Sequence, residues 1–129
     1  MKARCAGVAL LALLGTLAGC GGGSVAAPPA GPPTSELRIG MEDYRFQLSA
    51  AAVLPGRVTV VTTNVGSTAH DVLLTQDGRA IGHSDLLSPG ARQTLDVDVA
   101  SAAPVQLTCT VAGHAAMGMR ASVTVAAAP

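Results

Sequence analysis

From residue 36 onwards, apolar and polar residues alternate with a period of two in one short segment after another. This spacing is typical of strands that bury one face and expose the other. The alternating segments are 37–41, 44–48, 57–65, 70–75, 94–99, 105–111 and 121–125. Turn-forming pairs such as Pro55-Gly56 and Asp77-Gly78 lie between them. We therefore predict an all-β antiparallel sandwich over residues 36–129.

Three details follow from the same pattern. The alternation changes phase at residues 42–43, which predicts a bend or bulge there. The segment 79–88 has no clear period and is predicted to be a loop. Met41 lies on an apolar face and is predicted to be in the core, whereas Asp96 and Asp98 alternate with apolar residues and are predicted to form a solvated face.

The N-terminal end of the chain has a different character. A basic start precedes an apolar run over residues 6–19, which is too short to cross a bilayer but suits an export signal. The run ends in LAGC, which resembles the lipobox of bacterial lipoproteins, and this resemblance implies acylation of Cys20. The alternative is an ordinary secretory signal cut near Ala26. In both cases Cys5 is predicted to leave with the signal.

The next segment, residues 20–35, is rich in Gly, Pro, Ala and Ser and has no charge, so it is predicted to be a flexible tether. The predicted organisation is an export signal (1–19), this acylated tether and one domain (36–129). Loss of Lys2 and Arg4 with the signal leaves six basic residues against eight acidic ones, a formal charge of −2. No basic patch indicates nucleic-acid binding.

A chemically distinctive stretch, LTCTVAGHAAMGMRA, covers residues 107–121 and holds Cys109, His114 and two of the four methionines. The pattern places Cys109 on the inward face at the end of a strand and His114 in the loop that follows. A lone cysteine is more often a buried structural thiol. In an exported protein, however, thiols are usually paired, and a bound metal would protect an unpaired one.

The donor types narrow the choice of metal. Thiolate, imidazole and thioether select a soft or borderline ion, and two histidines, a cysteine and a weak axial methionine are typical of an electron-transfer copper site. Zinc fits less well because thioether is a poor zinc ligand. The second histidine can be His70, which follows a predicted turn at one end of the sandwich.

Two motifs, NVGSTAHD (64–71) and CTVAGHAAMGM (109–119), together with the strand pattern around them, make the chain resemble the cupredoxins, the blue copper family. The resemblance implies a Greek-key sandwich of seven or eight strands that holds one copper ion. It also implies that His70, Cys109 and His114 are the three strongly bound ligands.

Further roles are implied by the same resemblance. In the family the residue after the first histidine bonds to the residue after the cysteine, which implies a contact between Asp71 and Thr110. The loop histidine of the family lies beside an apolar surface through which electrons pass. Ala115, Ala116 and Met117 would form that surface in this chain.

Two methionines are candidates for the axial ligand, and their spacing from His114 does not decide between them. Met119 directly precedes the last predicted strand, and Gly118 gives the backbone freedom to turn its side chain inward. Met117 lies at the crest of the loop. We therefore predict that Met119 is axial and that Met117 faces outward.

The predicted function is one-electron transfer by a monomer anchored through Cys20 at the outer face of the cytoplasmic membrane or in the periplasm. The expected partners are a cytochrome, an oxidase or a reductase. No enzyme activity is predicted, because multicopper enzymes need further histidines and only His83 remains, which is predicted to be a solvated loop residue. One alternative is a copper carrier that delivers the metal to an oxidase, and another is a metal-free adhesion-like sandwich.

Overall fold

The computed structural model describes residues 27–128. The predicted signal (1–19), Cys20 and the start of the tether therefore lie outside the described residues. Within the described range the regular structure consists of nine strands. These residues contain no helix that is long and apolar enough to cross a membrane. The strands are β1 (Glu36–Glu42), β2 (Arg45–Leu48), β3 (Ala52–Val53), β4 (Gly56–Asn64), β5 (Leu73–Gln76), β6 (Arg79–His83), β7 (Arg92–Val99), β8 (Val105–Thr108) and β9 (Arg120–Val125).

The strands form two sheets that enclose one core. The first sheet has the order β2-β1-β4-β7 and the second has the order β3-β9-β8-β5-β6. Leu37 and Val60 of the first sheet belong to the same buried cluster as Leu74, Leu107 and Val123 of the second. Two sheets that bury alternate residues against each other form a β-sandwich. The predicted all-β sandwich is confirmed.

Two details of the sandwich differ from the prediction. The described residues form nine strands rather than seven or eight, because β3 has two residues, too few to alternate, and β6 lies in the segment predicted to be a loop. The pairing is also mixed, since β1 pairs with β4 and β3 with β9 in parallel. A tight hairpin can join only antiparallel strands. Between β1 and β4 the chain first passes through β3 in the second sheet, and this longer connection allows β1 and β4 to pair in parallel.

Strand β6 corrects the loop prediction for residues 79–88, and it ends at His83, which is therefore not a loop residue. It is an edge strand that is half-buried at Ile81 and Gly82 and exposed elsewhere, so it lacks a clear polar and apolar alternation. A Cβ atom on Gly82 would lie 2.6 Å from Cγ1 of Val97 on β7. Glycine thus allows the two sheets to approach closely at this edge.

The phase change at residues 42–43 is a two-residue hairpin turn rather than a bend or bulge within one strand. Glu42 pairs with Arg45, and Asp43 and Tyr44 form the turn between β1 and β2. Tyr44 has a left-handed φ of 68°, which is uncommon for a large side chain. The turn restarts the alternation, so that Phe46 on β2 is buried in the same core as β1.

Burial along β1 and β7 follows the sequence pattern. Met41 is fully buried, as predicted. On β7, Val97 and Val99 are buried whereas Asp96 and Asp98 are exposed. The predicted core position and the predicted solvated face are both confirmed.

The end of the predicted tether directly precedes β1. Residues 27–33 have no regular secondary structure, and the first pairing is an isolated parallel bridge between Thr34 and Val53. The amide of Thr34 donates to the carbonyl of Ala52 (3.2 Å), and the carbonyl of Thr34 accepts from the amide of Leu54 (2.9 Å). These bonds attach the segment just before β1 to β3.

Candidate metal centre

His70 lies in the connection between β4 and β5. The strand predicted to open at His70 begins instead at Leu73, and the backbone of His70 forms an isolated bridge with Leu87, with N···O distances of 3.1 and 2.8 Å. Asn64, which is fully buried, donates its side-chain amide to the carbonyls of Thr68 and Leu87, both at 2.8 Å. Buried, fully bonded polar groups of this kind fix one backbone arrangement around His70.

Cys109 lies one residue beyond β8, and a compact loop connects it to β9. The strand predicted to run to residue 111 ends before Cys109. The amide of Cys109 donates to the carbonyl of Met119 (3.2 Å), and the amide of Met119 donates to the carbonyl of His114 (3.0 Å). Gly113 has a left-handed φ of 84°, which side chains disfavour. The loop is thus closed by its own backbone.

Three donor side chains converge where these segments meet. Nδ1 of His70 lies 3.1 Å from Nδ1 of His114, and Sγ of Cys109 lies 3.7 Å from the same Nδ1. The donor atoms of all three residues lie within 4.8 Å of one another. His70 and Cys109 are buried and His114 is half-buried. An ion among these atoms would have all three as ligands and would be largely shielded from water.

The two methionines of the loop differ in exposure. Met119 is fully buried, and its backbone is bonded to both Cys109 and His114. Met117 is 57% exposed. Of the two thioethers, that of Met119 is therefore the one enclosed by the protein beside the donor cluster.

The chemistry of this donor set fits copper. Burial raises the pKa of the Cys109 thiol, so without a metal it is protonated at neutral pH. A bound cation reverses this, because a coordinating thiol loses its proton. One thiolate, two imidazoles and a weak thioether are the donors of electron-transfer copper sites, whereas zinc gains little from a thioether.

Asp71, which follows His70, contacts the residue that follows Cys109. Oδ1 of Asp71 accepts the amide hydrogen of Thr110 at 2.6 Å, and Oδ2 accepts the Thr110 hydroxyl. Burial by itself would raise the pKa of Asp71, but hydrogen bonds from Thr110, His83 and Cys109 outweigh burial and lower it. An ionised carboxylate therefore joins the two segments that carry the donors.

His83 lies outside the donor cluster but touches this carboxylate. Its Nε2 lies 3.0 Å from Oδ2 of Asp71, and its side chain is 48% exposed. The sequence offers no signal for this contact, because β6 lacks the period that would have placed His83 beside β5.

The tip of the β1–β2 hairpin supplies two neighbours of the histidines that the sequence analysis missed. Oδ1 of Asp43 lies 3.0 Å from Nε2 of His70. The ring centroids of Tyr44 and His114 are 5.2 Å apart, with the rings nearly perpendicular at 85°. The phase change at this point is the one available signal, since it marks a turn that projects from the sheet.

The residues predicted to form an apolar surface lie beside His114. Ala116 and Met117 are exposed and Ala115 is half-buried. The guanidinium group of Arg120 lies at the border of this surface, where its Nε donates to the carbonyl of Ala115 at 3.3 Å. Half-buried His114 is therefore followed in the loop by two alanines and an exposed methionine, and Arg120 bonds to the backbone of the same segment.

No family model and no curated protein sequence matches this chain, but solved structures do. Dithionite-reduced auracyanin from Roseiflexus castenholzii matches with a TM-score of 0.66 at 18% identity, over 74% of this chain and 100% of that chain. Auracyanin A, a blue copper protein from Chloroflexus aurantiacus, gives 0.57 at 16% identity over 70% and 98%. Reduced rusticyanin gives 0.59 at 16% identity over 74% and 81%. The chain therefore has the cupredoxin fold.

Proposed function

We propose that the chain is a mononuclear blue (type 1) copper protein that carries single electrons. The observation that supports this most directly is the convergence of His70, Cys109 and His114 within 4.8 Å, next to the buried Met119. A copper ion bound there would supply the one-electron couple between Cu(I) and Cu(II). Auracyanin A, which has the same fold, is a blue copper protein.

The protein contributes a fixed arrangement of donors. His70 is held by its bridge to Leu87, and Cys109 is held by its bond to Met119. The carboxylate of Asp71 joins the two segments through Thr110. Donors that move little when the charge of the site changes favour fast electron transfer, and hydrogen bonds around them tune the potential.

Burial favours an electron carrier over a copper carrier. A protein that delivers its metal should expose the ion and exchange it readily. Here His70 and Cys109 are 0% and 1% exposed, and only His114 is half-buried. This arrangement suits a retained ion that exchanges electrons through the edge of His114.

We further propose that electrons pass at the surface formed by Ala115, Ala116 and Met117, to a redox protein of the cell envelope. Redox encounters bury little area, so a small surface with few charges suits a brief contact. In this proposal acylated Cys20 tethers the protein to the membrane, and residues 20–35 let the sandwich move toward its partners. The chain is proposed to act as a monomer and not as an enzyme.

A visible absorption spectrum of the copper(II)-loaded protein tests the proposal. We expect an intense blue or green colour from sulfur-to-copper charge transfer, and Cys109→Ser should be colourless. A colourless wild-type protein that holds zinc tightly would refute the proposal. A blue protein that loses its copper to a chelator within minutes would favour the copper carrier.

A further inference from the structure

We propose that Asp43 positions His70 for the metal by accepting the hydrogen on Nε2, which leaves the lone pair of Nδ1 directed at the donor cluster. The contact between Asp43 and His70 belongs to the protein without any metal. Its consequence for the potential rests on the proposed copper function.

The carboxylate of Asp43 is surrounded by donors. Oδ1 accepts from the amide and hydroxyl of Thr68 at 3.2 and 3.0 Å, and Oδ2 accepts from the hydroxyl of Ser67 at 2.5 Å. The amide of Ser67 lies 3.1 Å from both oxygens. All of these groups donate to Asp43, so both of its oxygens act as acceptors.

This environment decides which atom carries the hydrogen between Asp43 and His70. Both oxygens of the Asp43 carboxylate already accept hydrogens from hydroxyl groups, so Nε2 of His70 is the donor across the 3.0 Å contact. The hydroxyl of Thr68, 3.3 Å from Nε2, already donates its one hydrogen to Asp43. Both neighbours of Nε2 therefore act as acceptors.

A neutral imidazole has one N–H group, so a hydrogen on Nε2 leaves Nδ1 as a lone pair. Nδ1 is the atom that faces the cluster, 3.1 Å from Nδ1 of His114. The contact with Asp43 thus selects the tautomer that can bind a metal. Carboxylates that orient metal-binding histidines act in this way in many metalloproteins.

Gly66 lies against one side of this contact. A Cβ atom on Gly66 would lie 2.7 Å from Oδ1 of Asp43 and 3.0 Å from Nε2 of His70. The β4–β5 connection therefore passes directly over the hydrogen bond, which leaves no room there for a larger residue. The contact is thus enclosed on the His70 side, which is fully buried, whereas the side chain of Asp43 is 34% exposed.

The position of the carboxylate comes from the hairpin tip. Asp43 and Tyr44 form the two-residue turn, and Tyr44 packs edge-on against His114 while Asp43 bonds His70. This one turn thus contacts both histidines of the donor cluster, His70 and His114. The negative charge beside His70 would favour copper(II) over copper(I) and so lower the midpoint potential.

The first test uses the metal-free full chain at about pH 8, above the ordinary titration range of imidazole. Long-range ¹H–¹⁵N spectra report which ring nitrogen carries the hydrogen, and His83→Gln and His114→Gln assign the signals of the three histidines. We expect His70 to be protonated on Nε2 in the wild type and to populate both tautomers in Asp43→Ala. Protonation on Nδ1 in the wild type, or an unchanged tautomer in the variant, would overturn the inference.

The second test measures copper affinity by competition with chelators of known strength. Asp43→Asn keeps the size of the side chain and removes its charge, and Asp96→Asn makes the same change on the solvated face of β7. Asparagine keeps one acceptor oxygen for Nε2, so this variant removes only the charge of the partner, and mutation of such partners lowers metal affinity about tenfold or more. We expect Asp43→Asn to weaken copper(II) binding by that factor and copper(I) binding by less, with Asp96→Asn unchanged. Equal losses in both variants would refute a specific role for Asp43.

The two tests separate the inference from the proposed function. A wild-type protein that binds no copper would refute the function, and the tautomer of His70 in the metal-free chain would still test the positioning role. A blue wild-type protein whose His70 tautomer does not respond to Asp43→Ala would refute the positioning role alone. Dispersed amide spectra of each variant verify that it is folded.

Discussion

Oδ2 of Asp71 lies 3.0 Å from Nε2 of His83, and Oδ1 of the same carboxylate accepts the amide hydrogen of Thr110, the residue after Cys109. The side chain of Asp71 is 8% exposed and that of His83 is 48% exposed. A row of hydrogen bonds therefore leads from solvent to the backbone beside the thiol. We therefore expect the charge of Asp71 to change the electrostatic potential at the donor cluster.

The first prediction concerns this charge. Asp71→Asn should raise the midpoint potential of the copper-loaded protein, because the carboxylate stabilises Cu(II) over Cu(I). A unit charge about 8 Å from a centre contributes about 2 kcal/mol at an effective dielectric of ~20, which sets an upper limit of about 90 mV. Redox titration measures the shift, with Asp98→Asn on the exposed face of β7 as the control. An unchanged or lower potential would show that the charge of Asp71 does not reach the site.

Acid should weaken the fold through the same carboxylates. Folding lowers the pKa of Asp43 and of Asp71 from the ordinary value of 3.8, so the unfolded chain takes up protons first as the pH falls. Their contribution is complete above that value and is lost as the pH falls through the folded-state pKa values. Urea unfolding of the metal-free protein should show this loss below about pH 4. Asp71→Asn should lose less stability between pH 6 and pH 2 than the wild type, and a parallel loss would contradict the assignment.

The axial ligand can be tested with two matched substitutions. Met119 is fully buried, so Met119→Leu should keep the fold at a loss of less than about 1.5 kcal/mol. It should keep the blue colour, raise the potential and change the copper EPR spectrum, because the axial bond is weak. Met117→Leu should leave all three nearly unchanged, since Met117 is 57% exposed. The opposite pattern would assign the ligand to Met117.

Electron exchange should depend on the surface beside His114. Ala116 is exposed, and a glutamate there would place a charge in the proposed docking area. Ala116→Glu should slow electron exchange with the partner and leave the copper spectrum intact. Ala100→Glu, at an exposed position just beyond β7, is the control. Equal exchange rates in the wild type and Ala116→Glu would place docking elsewhere.

The close approach of the sheets at Gly82 gives a stability prediction. A Cβ atom there would lie 2.6 Å from Cγ1 of Val97, so Gly82→Ala should destabilise the fold by about 1–3 kcal/mol. Denaturant unfolding measures the change, and Gly31→Ala, with no atom within 4 Å of the added carbon, is the control. Shortening the opposing side chain in Gly82→Ala/Val97→Ala should recover part of the loss. Additive losses in the double variant would contradict the proposed clash.

The sequence was most informative where one strand face is buried. Alternation located β1, β4 and β7 to within two residues, because half-buried strands repeat every two residues. The grouping of Cys109, His114 and Met119 was visible because a single loop carries all three. His70 could be added because its segment ends at the same side of a sandwich.

Contacts between distant segments left no such signal. Asp43 lies 27 residues before His70 in the sequence, and a lone aspartate in a turn is ordinary. The strand position of His83 and its contact with Asp71 were missed because β6 is an edge strand without a fully buried face. The mixture of parallel and antiparallel pairing could not be predicted from the sequence either. Apolar and polar residues alternate in the same way in both kinds of strand when one face is exposed.

The last strand, β9, lies between β3 and β8 in the second sheet, and Met119 immediately precedes it. The amide of Cys109 donates to the carbonyl of Met119, and this bond continues the pairing of β8 with β9, so the donor loop closes together with that pairing. Contacts between segments far apart in the chain form slowly. We therefore expect the site to form after the local pairings of the sandwich. Metal uptake would then mark a chain whose folding is complete, and a partly folded chain would offer the metal only scattered, weak ligands.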